Sequence, residues 1–241
     1  MIAIIPARGG SKGLPGKNTK LLNGIPLISH TIQAALNAKL ISRVIVSTDD
    51  VEIAKIAQEC GAEVPFLRPK NLAEDKSMVM DAYIYTMDKL AKESNGNYES
   101  FVALLPTAPL RLAEDIDNAI KVFIDNNADS VISVTEAPVP IEWYRKIDEN
   151  NLLCNYFPEW DAVLNRQELS RAHVPNGAIY IFRTERLRET RLYYLEKTYP
   201  YIMPKERSAD IDEALDFKCA ASRTCNAWAV GGPITAASSK P

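Results

Sequence analysis

Short apolar runs alternate with stretches of helical periodicity along most of this chain. The runs contain many β-branched residues, and the segments between them place apolar residues three and four positions apart. We predict strands at 2–6, 43–47, 63–67, 101–105, 130–134 and 178–182, and helices at 27–38, 51–60, 78–92 and 113–126. This alternation predicts an α/β fold, with a mostly parallel central sheet and helices on both faces.

Residues 138–175 interrupt the alternation. They contain several prolines and aromatic residues, namely Pro138, Pro140, Pro158, Pro175, Trp143, Tyr144, Tyr156, Phe157 and Trp160. Such a segment is typical of a lid, a satellite hairpin or an association surface, and ordinary local packing of the rings is the alternative.

The chain changes character again after about Phe217. A helix is expected to begin within 212–218, but residues 219–241 show no helical period and are rich in Ala, Ser, Gly and Pro. We therefore predict one domain over residues 1–218 and an atypical tail over 219–241, disordered from about residue 222. No function is assigned to this tail.

Composition and charge narrow the class of protein. A chain of 241 residues with 46% hydrophobic and 24% charged residues is typical of one soluble globular domain. The net charge of −3 gives no electrostatic reason to expect nucleic acid or a membrane as a partner. With no apolar run near the ~18 residues of a membrane span and no signal-peptide pattern, we expect a cytoplasmic protein. Four scattered cysteines and two histidines predict neither a disulfide framework nor a His/Cys metal cluster.

The most informative candidate chemistry directly follows the first predicted strand, in the segment IIPARGGSKGLPGKN at 4–18. Its four glycines let the backbone turn sharply and present N–H groups to an anion. Arg8, Lys12 and Lys17 add positive charge suited to phosphate. The spacing fits neither a P-loop nor the dinucleotide-binding pattern. We predict a polyphosphate cradle, with a solvated glycine-rich surface loop as the alternative.

Asp210 and Asp212 form a second candidate site. One residue separates them at a predicted strand-to-helix junction, so an extended backbone would place both side chains on one side. Mg²⁺ takes hard oxygen ligands and is often bound by one or two carboxylates together with substrate phosphates. We predict that this pair holds Mg²⁺; the alternative is that one of them caps the following helix.

Further polar residues follow other predicted strands, at the edge where open α/β sheets bind ligands. Arg68 follows the strand at 63–67, and Thr107 follows the strand at 101–105. Ser77 lies shortly after Arg68, as does Asp75, although either could simply cap the next helix.

Two aspartates, Asp49 and Asp50, end the second predicted strand. Asp49 could face the ligand edge, whereas Asp50 occupies the position of a helix N-cap. We favour a structural role for both.

The loop at 4–18 closely resembles the nucleotide-binding signature of the acylneuraminate cytidylyltransferases, also called CMP-sialic acid synthetases. Members of that family open with a strand and an I-P-A-R-x-x-S-K-G-x-x-x-K-N loop. Further blocks resemble the same family in the same order: FLRPKNLAEDKS (66–77), LLPTAPLR (104–111), RQELSRAHVPNGAIYIF (166–182) and DIDEALDF (210–217). The resemblance covers residues 1 to about 218 and implies a Rossmann-like nucleotidyltransferase.

The resemblance implies a reaction and a nucleotide site. CMP would pass from CTP to the anomeric hydroxyl of a sialic-acid-type 2-keto-3-deoxy sugar acid, with release of pyrophosphate and with Mg²⁺ as cofactor. The implied nucleotide-binding residues are Arg8, Gly9, Ser11, Lys12, Lys17, Asn18, Arg68 and Ser77. Charge stabilisation by Arg8, Lys12, Lys17 and Asp210 would carry catalysis.

The resemblance also implies a sugar site and a partner subunit. The implied sugar-binding residues are Thr107, Arg166, Gln167 and Asn176. An arginine fork suits the carboxylate of a sugar acid and an amide suits its hydroxyls, although Arg166 could form a surface ion pair instead. The dipeptide Asn176-Gly177 is also typical of a tight turn before a strand. Family members are homodimers in which the 138–175 segment crosses to the partner subunit, so a homodimer is implied.

One block departs from the family pattern. The family usually has L-L-Q-P-T-S-P-L-R, whereas here Leu105 replaces the glutamine and Ala108 replaces the serine. That glutamine contacts the sugar in the family, so leucine removes a hydrogen-bond partner that would discriminate between sugars. A sibling enzyme for legionaminic, pseudaminic or KDO-type sugar acids therefore stays an alternative. A non-catalytic nucleotide-binding domain is a third, and the combination of cationic loop and paired carboxylates argues against it.

Overall fold

The computed structural model describes residues 1–11, 13–94, 98–157, 169 and 171–227. Within them, the central sheet consists of β1 (Ile2–Pro6), β4 (Arg43–Ser47), β5 (Ser100–Ala103), β6 (Ser130–Glu136), β9 (His173–Arg183) and β10 (Thr198–Ile202). Two hairpins lie outside it: β2 (Leu21–Leu22) with β3 (Ile25–Pro26), and β7 (Arg145–Ile147) with β8 (Leu153–Asn155). The helices are α1 (Leu27–Leu36), α2 (Val51–Glu59), α3 (Val79–Ser94), α4 (Ala113–Asp125), α5 (Thr184–Thr190) and α6 (Ala214–Ala227).

The strand order of the central sheet is β10-β6-β9-β5-β1-β4. β1 pairs in parallel with β4 and β5, and β10 pairs in parallel with β6. β9 runs antiparallel to both of its neighbours, β5 and β6. The prediction of a mostly parallel sheet is confirmed. β9 is the exception.

Both faces of the sheet are covered, as the apolar strands predict. In β1, Ala3 and Ile5 pack in the cluster that includes residues of α1, α2 and α4, whereas Ile2 and Ile4 pack in the cluster that includes residues of α3 and α5. All four side chains are at most 2% exposed. The strand alternates between two apolar layers, and therefore its sequence is a continuous apolar run.

The ends of α2 show how local sequence sets helix boundaries. Asp50 is its N-cap, and one carboxylate oxygen accepts from the backbone amides of Glu52 and Ile53 at 2.8 and 3.0 Å. After the helix, Gly61 takes a φ of +91° and its amide donates to the Gln58 carbonyl at 2.9 Å. The predicted structural role of Asp50 is confirmed.

The predicted strand at 63–67 is wrong. The structure has a single bridge there, between Glu63 and Ile45. Pro65 lies in the middle of the segment and supplies no backbone N–H, so a longer ladder at this position would lack a donor.

α6 continues to Ala227, past residue 222, where the sequence analysis expects disorder to begin. Phe217, Ala220 and Ala221 pack in a cluster with Leu22 and Leu27, which anchors the helix to the β2–β3 hairpin and the start of α1. Ala220 and Ala221 follow Phe217 by three and four residues, as on one face of a helix. The period is hard to recognise in the sequence because two of the three residues are alanine. The remainder of the predicted tail, 228–241, lies outside the described residues.

Among the described residues, no helix combines the length and apolar character needed to cross a bilayer.

Candidate active site

A cleft of about 470 Å³ opens where β1 and β5 end. Residues distant in sequence meet in it, as expected at the carboxyl edge of an open α/β sheet. The lining includes many of the predicted site residues, namely Arg8, Ser11, Lys17, Asn18, Arg68, Ser77, Thr107 and Asp212, together with Leu105. The structure thus brings the cationic loop, the predicted nucleotide contacts and one of the paired carboxylates to one place.

The loop after β1 is anchored near both of its ends. The Gly9 amide donates to Asp49 Oδ1 at 3.1 Å, and the Asn18 side-chain amide donates to the Arg8 carbonyl at 3.0 Å. A Cβ at Gly9 would lie 2.6 Å from Asp50 Oδ2, so glycine allows the loop to approach the start of α2 this closely. In this conformation the Gly9 amide and the Asn18 side chain bond to the protein itself and maintain the shape of the loop.

Lys17 links the loop to the segment before α6. Its Nζ donates to the Ile211 carbonyl at 2.6 Å and lies 3.2 Å from Asp212 Oδ1. The Lys17 side chain is 12% exposed, whereas that of Asp212 is 77% exposed, so the carboxylate keeps room for a further ligand. A Cβ at Gly13 would lie 2.5 Å from the Asp212 carbonyl oxygen, and glycine therefore lets the two backbones pack directly.

Asp210 is more enclosed than Asp212. Burial raises the pKa of the Asp210 carboxyl; a hydrogen bond from the Thr107 hydroxyl opposes this effect, and the charge of Asp212 adds to it. A Cβ at Gly177 would lie 2.8 Å from Asp210 Oδ2. The missing side chain at Gly177 thus makes the space in which the carboxylate sits.

Asp216 takes the capping role that the sequence left open for Asp210 or Asp212. Its Oδ2 accepts from the backbone amides of Asp212 and Glu213 at 3.0 and 2.8 Å. The carboxylates of Asp210 and Asp212 are therefore available as hard oxygen donors beside the cleft. Two carboxylates next to a cationic loop form a donor set that fits Mg²⁺ shared with substrate phosphates.

Arg8 and Arg68 bring two guanidinium groups to the cleft. Arg8 Nη1 lies 3.1 Å from Asp75 Oδ1, whereas Arg68 Nη2 lies 4.0 Å from Asp49 Oδ1. The Arg68 side chain is 4% exposed, and its Nε has no hydrogen-bond partner among the described residues. Burial lowers the pKa of Arg68, and the Asp49 carboxylate opposes this effect. Buried donors are normally satisfied, so Arg68 is suited to receive an anionic ligand.

The segment from 70 to 77 forms one wall of the cleft. The Ser77 hydroxyl donates to the Asn71 carbonyl at 2.6 Å, and Asp75 pairs with Arg8. The first contact lies within this wall, and the second ties the wall to the loop after β1.

Asn176 lies within β9, so the alternative interpretation of Asn176-Gly177 as a tight turn before a strand is wrong. It sits at an irregularity in the pairing of β9 with β6, and Gly177 takes a φ of +70° there. The Asn176 side chain accepts from the Ser133 hydroxyl at 2.6 Å and donates to the Ser208 hydroxyl at 2.9 Å. The residue is 4% exposed and is not among those that line the cleft. This placement gives the amide a structural task in holding the irregular strand.

Lys12, Arg166 and Gln167 lie outside the described residues. Their contacts with nucleotide or sugar stay predictions.

Arg111 bonds to the backbone of the cleft residue Leu105 but itself lines a larger groove and not the cleft; the sequence analysis gave it no role. It is 2% exposed and its Nη2 donates to the Leu105 carbonyl, whereas Nε and Nη1 have no hydrogen-bond partner among the described residues. Burial lowers the pKa of Arg111 to about 9, and the charges of Asp115 and Asp210 oppose this effect. Arg111 thus fixes the backbone at the position where the chain departs from the family pattern. The sequence signal for Arg111 was that it is the single charged residue of the block LLPTAPLR at 104–111.

A larger groove of about 1180 Å³ lies against α1, α2 and the start of α4. None of the predicted site residues lines it. The smaller cleft is the candidate active site because its cations and carboxylates match the charges of a nucleoside triphosphate and a metal ion.

Comparison with known proteins gives a family match over most of the chain. The family model described as cytidylyltransferase matches residues 2–217. CMP-N,N'-diacetyllegionaminic acid synthase from Legionella pneumophila is 37% identical, over 90% of this chain and 93% of that protein. Pseudaminic acid cytidylyltransferase from Campylobacter jejuni is 32% identical, over 91% and 94%. N-acylneuraminate cytidylyltransferase from Escherichia coli is 38% identical over 91% of this chain, which spans 51% of that longer protein.

Solved structures show the same fold. The structure of CMP:2-keto-3-deoxy-manno-octonic acid synthetase complexed with CTP matches with a TM-score of 0.69, at 16% identity, over 94% of this chain and 99% of that one. A 4-diphosphocytidyl-2C-methyl-D-erythritol synthase from Anaerococcus prevotii matches with a TM-score of 0.62 at 12% identity, over 92% and 95%. The family model covers most of the chain, and relatives named for acylneuraminic, legionaminic and pseudaminic acid share about a third of its residues. The chain therefore belongs to the cytidylyltransferase family and is a nucleotidyltransferase.

Proposed function

We propose that this protein transfers CMP from CTP to the anomeric hydroxyl of a sialic-acid-type 2-keto-3-deoxy sugar acid and releases pyrophosphate. The observation that carries the proposal is the cleft in which Arg8, Lys17 and Arg68 meet the carboxylate of Asp212. Three cations suit the charge of a triphosphate, and the carboxylate suits a metal ion shared with it. The related enzymes whose names include a sugar acid support the second substrate.

The proposed reaction is an in-line displacement at phosphorus. The anomeric hydroxyl of the sugar releases its proton to solvent, and its oxygen forms a bond to the α-phosphorus of CTP. The bond from that phosphorus to the bridging oxygen breaks, and pyrophosphate leaves with that oxygen. The protein's task is to position the two substrates and to stabilise charge. Arg8, Lys17 and Arg68 would neutralise the phosphates, and Lys12 of the same loop is proposed to assist.

Asp210 and Asp212 are proposed to hold Mg²⁺ together with the phosphates. Thr107 donates to the enclosed Asp210 carboxylate and orients it, whereas Asp212 is largely exposed beside Lys17. When bound, Mg²⁺ would neutralise phosphate charge and lower the pKa of a nearby hydroxyl.

Leu105 bears on which sugar acid is used. It lines the cleft at the position where the resembling family has a sugar-binding glutamine, and Arg111 fixes its carbonyl. An apolar side chain there favours a sugar acid that does not need that hydrogen bond. Our first candidate is an N-acylneuraminic acid, and Leu105 supports a second, a legionaminic or pseudaminic acid.

We expect pyrophosphate release with CTP and far slower release with ATP, GTP or UTP. The measurement is a coupled pyrophosphate assay in which each nucleotide is combined with a panel of acylneuraminic, legionaminic, pseudaminic and KDO-type acids. The panel identifies the sugar among the candidates. Comparable turnover with several nucleotides would contradict a cytidylyltransferase, and CTP binding without turnover on any acid would favour the non-catalytic alternative.

We also propose a homodimer, formed through the segment at 138–175. Its described part contains the β7–β8 hairpin and presents large apolar and aromatic side chains, each between 44% and 73% exposed: Trp143, Tyr144, Ile147, Leu152, Leu153 and Tyr156. Exposed apolar surface of this kind usually marks an association site.

If Arg166 serves the partner's active site, mixed dimers should recover activity. Combining an Arg166→Ala subunit with a Lys12→Ala subunit gives one site that has both residues, so part of the wild-type turnover should return after subunit exchange. A mixture of Lys12→Ala and Lys17→Ala is the control, because both residues belong to one loop and no site regains both. A mixed Arg166→Ala and Lys12→Ala dimer that stays inactive despite verified exchange would contradict action in trans.

A further inference from the structure

Asp49 contacts two separate parts of the cationic cleft. Its Oδ1 accepts from the Gly9 amide at 3.1 Å and lies 4.0 Å from Arg68 Nη2. Gly9 belongs to the loop after β1, whereas Arg68 directly precedes the wall at 70–77. One carboxylate oxygen therefore connects the two segments that carry the cations, although Asp49 is not among the residues that line the cleft.

The backbone around Asp49 is held firmly. The Arg68 amide donates to the Thr48 carbonyl at 2.7 Å, and the Asp50 amide donates to Thr48 Oγ1 at 3.1 Å. Thr48 is fully buried, and Asp50 caps α2. The Asp49 carboxylate thus projects from a fixed turn and can impose its position on the groups that bond to it.

The charges around Arg68 explain why a carboxylate is useful there. Burial and the charge of Arg8 both lower the pKa of Arg68, and Asp49 opposes both effects. A buried guanidinium without a nearby negative charge would be costly. At 4.0 Å the pair is at the outer limit of a salt bridge, so Asp49 orients Arg68 without neutralising it completely.

We propose that Asp49 is a positioning residue for CTP, which holds the Gly9 loop and Arg68 in the arrangement that receives the phosphates. It acts through these two groups and not by touching the nucleotide. The inference rests on the proposed location of CTP in the cleft.

Two substitutions separate the contacts of Asp49. Asp49→Asn keeps an oxygen that can accept from the Gly9 amide but removes the charge beside Arg68, whereas Asp49→Ala removes both. The bond from the Gly9 amide to the Asp49 carboxylate is of a kind typically equivalent to on the order of 10- to 100-fold in an equilibrium constant, whereas Asp49 and Arg68 interact through charge alone at 4.0 Å. We expect the KM for CTP to rise about tenfold in Asp49→Asn and further in Asp49→Ala, with the KM for the sugar acid near its wild-type value.

Asp50→Asn is the matched control. It removes the same charge one residue away, and asparagine remains a good helix N-cap, so the KM for CTP should stay near wild type. Equal increases in Asp49→Asn and Asp50→Asn would show a general effect of charge and overturn the proposal, as would an unchanged KM for CTP in Asp49→Ala. Thermal unfolding of each variant checks that the fold is retained.

A double-mutant cycle tests whether Asp49 acts through Arg68. In an Arg68→Met background, Asp49→Asn should have little further effect on CTP affinity measured by calorimetry, because the partner of the charge is gone. Full additivity would overturn the link; Arg68→Gln, which also lacks the charge, replaces Arg68→Met if the latter unfolds.

Lys17→Met separates this inference from the proposed function. If Lys17→Met binds CTP like the wild type, the location of CTP in the cleft is wrong. If Lys17→Met weakens binding and Asp49→Ala does not, only the role of Asp49 is wrong.

Discussion

Replacing either Asp210 or Asp212 with asparagine should reduce Mg²⁺-dependent turnover by on the order of 10²-fold or more while leaving the protein folded. Asparagine keeps the size of the side chain but removes the charge that a divalent ion requires. The measurement is steady-state pyrophosphate release as a function of Mg²⁺, with thermal unfolding of each variant as the test of folding.

The contacts of Asp212 also predict how the affinity for Mg²⁺ depends on bound CTP. Lys17 Nζ lies 3.2 Å from Asp212 Oδ1, so part of the carboxylate charge is already compensated in the free protein. Mg²⁺ should therefore bind weakly alone and more tightly with CTP, whose phosphates add oxygen ligands and negative charge. Calorimetric titration of Mg²⁺ with and without CTP measures the difference. Mn²⁺ should restore part of the activity of the asparagine variants because it binds such ligands more tightly.

Asp216→Ala is the control for the metal site. Asp216 accepts from the amides of Asp212 and Glu213, so its loss should destabilise the start of α6 by about 1 kcal/mol. The Mg²⁺ dependence should stay close to wild type. If both asparagine variants keep normal Mg²⁺-dependent turnover, the metal is held elsewhere.

The parts of the cleft that could be predicted are those whose pattern lies within a few consecutive residues of the sequence. The glycine-rich loop follows an apolar strand directly, and Asp210 and Asp212 are one residue apart, so both features are visible in a few consecutive residues. Strand edges then predict that these features meet, since the carboxyl ends of parallel strands lie at one edge of a sheet. The cleft confirms this convergence for Arg8, Lys17 and Asp212.

The features that the sequence did not predict depend on contacts between distant residues. The antiparallel direction of β9 is seen in its pairing with β5 and β6 and is not visible in its own apolar run. Gly177 appeared to mark a turn, whereas its missing side chain makes room for the Asp210 carboxylate. The partners of Asp49, namely Gly9 and Arg68, could not be inferred without the fold.

Lys17→Met should lower kcat/KM for CTP by on the order of 10²-fold or more, because it removes a positioned cation from the proposed phosphate site. Lys12→Ala, in the same loop, is expected to behave similarly with little change in thermal stability. Lys17 differs because its side chain is 12% exposed and bonds to the Ile211 carbonyl at 2.6 Å. Some loss of stability is therefore expected for Lys17→Met. Pyrophosphate release and thermal unfolding measure the two effects.

Lys17→Met should also change the affinities for Mg²⁺ and for CTP in opposite directions. Without the ammonium group, the Asp212 carboxylate loses its compensating charge, so Mg²⁺ should bind the free protein more tightly while CTP binds more weakly. General damage to the cleft would weaken both ligands, and calorimetric titrations of each therefore separate the two causes. Lys20→Met is the matched control, since Lys20 is exposed, lies over the Phe217 ring and is not among the residues that line the cleft. Near-normal kcat/KM in Lys17→Met would refute the loop as a phosphate site.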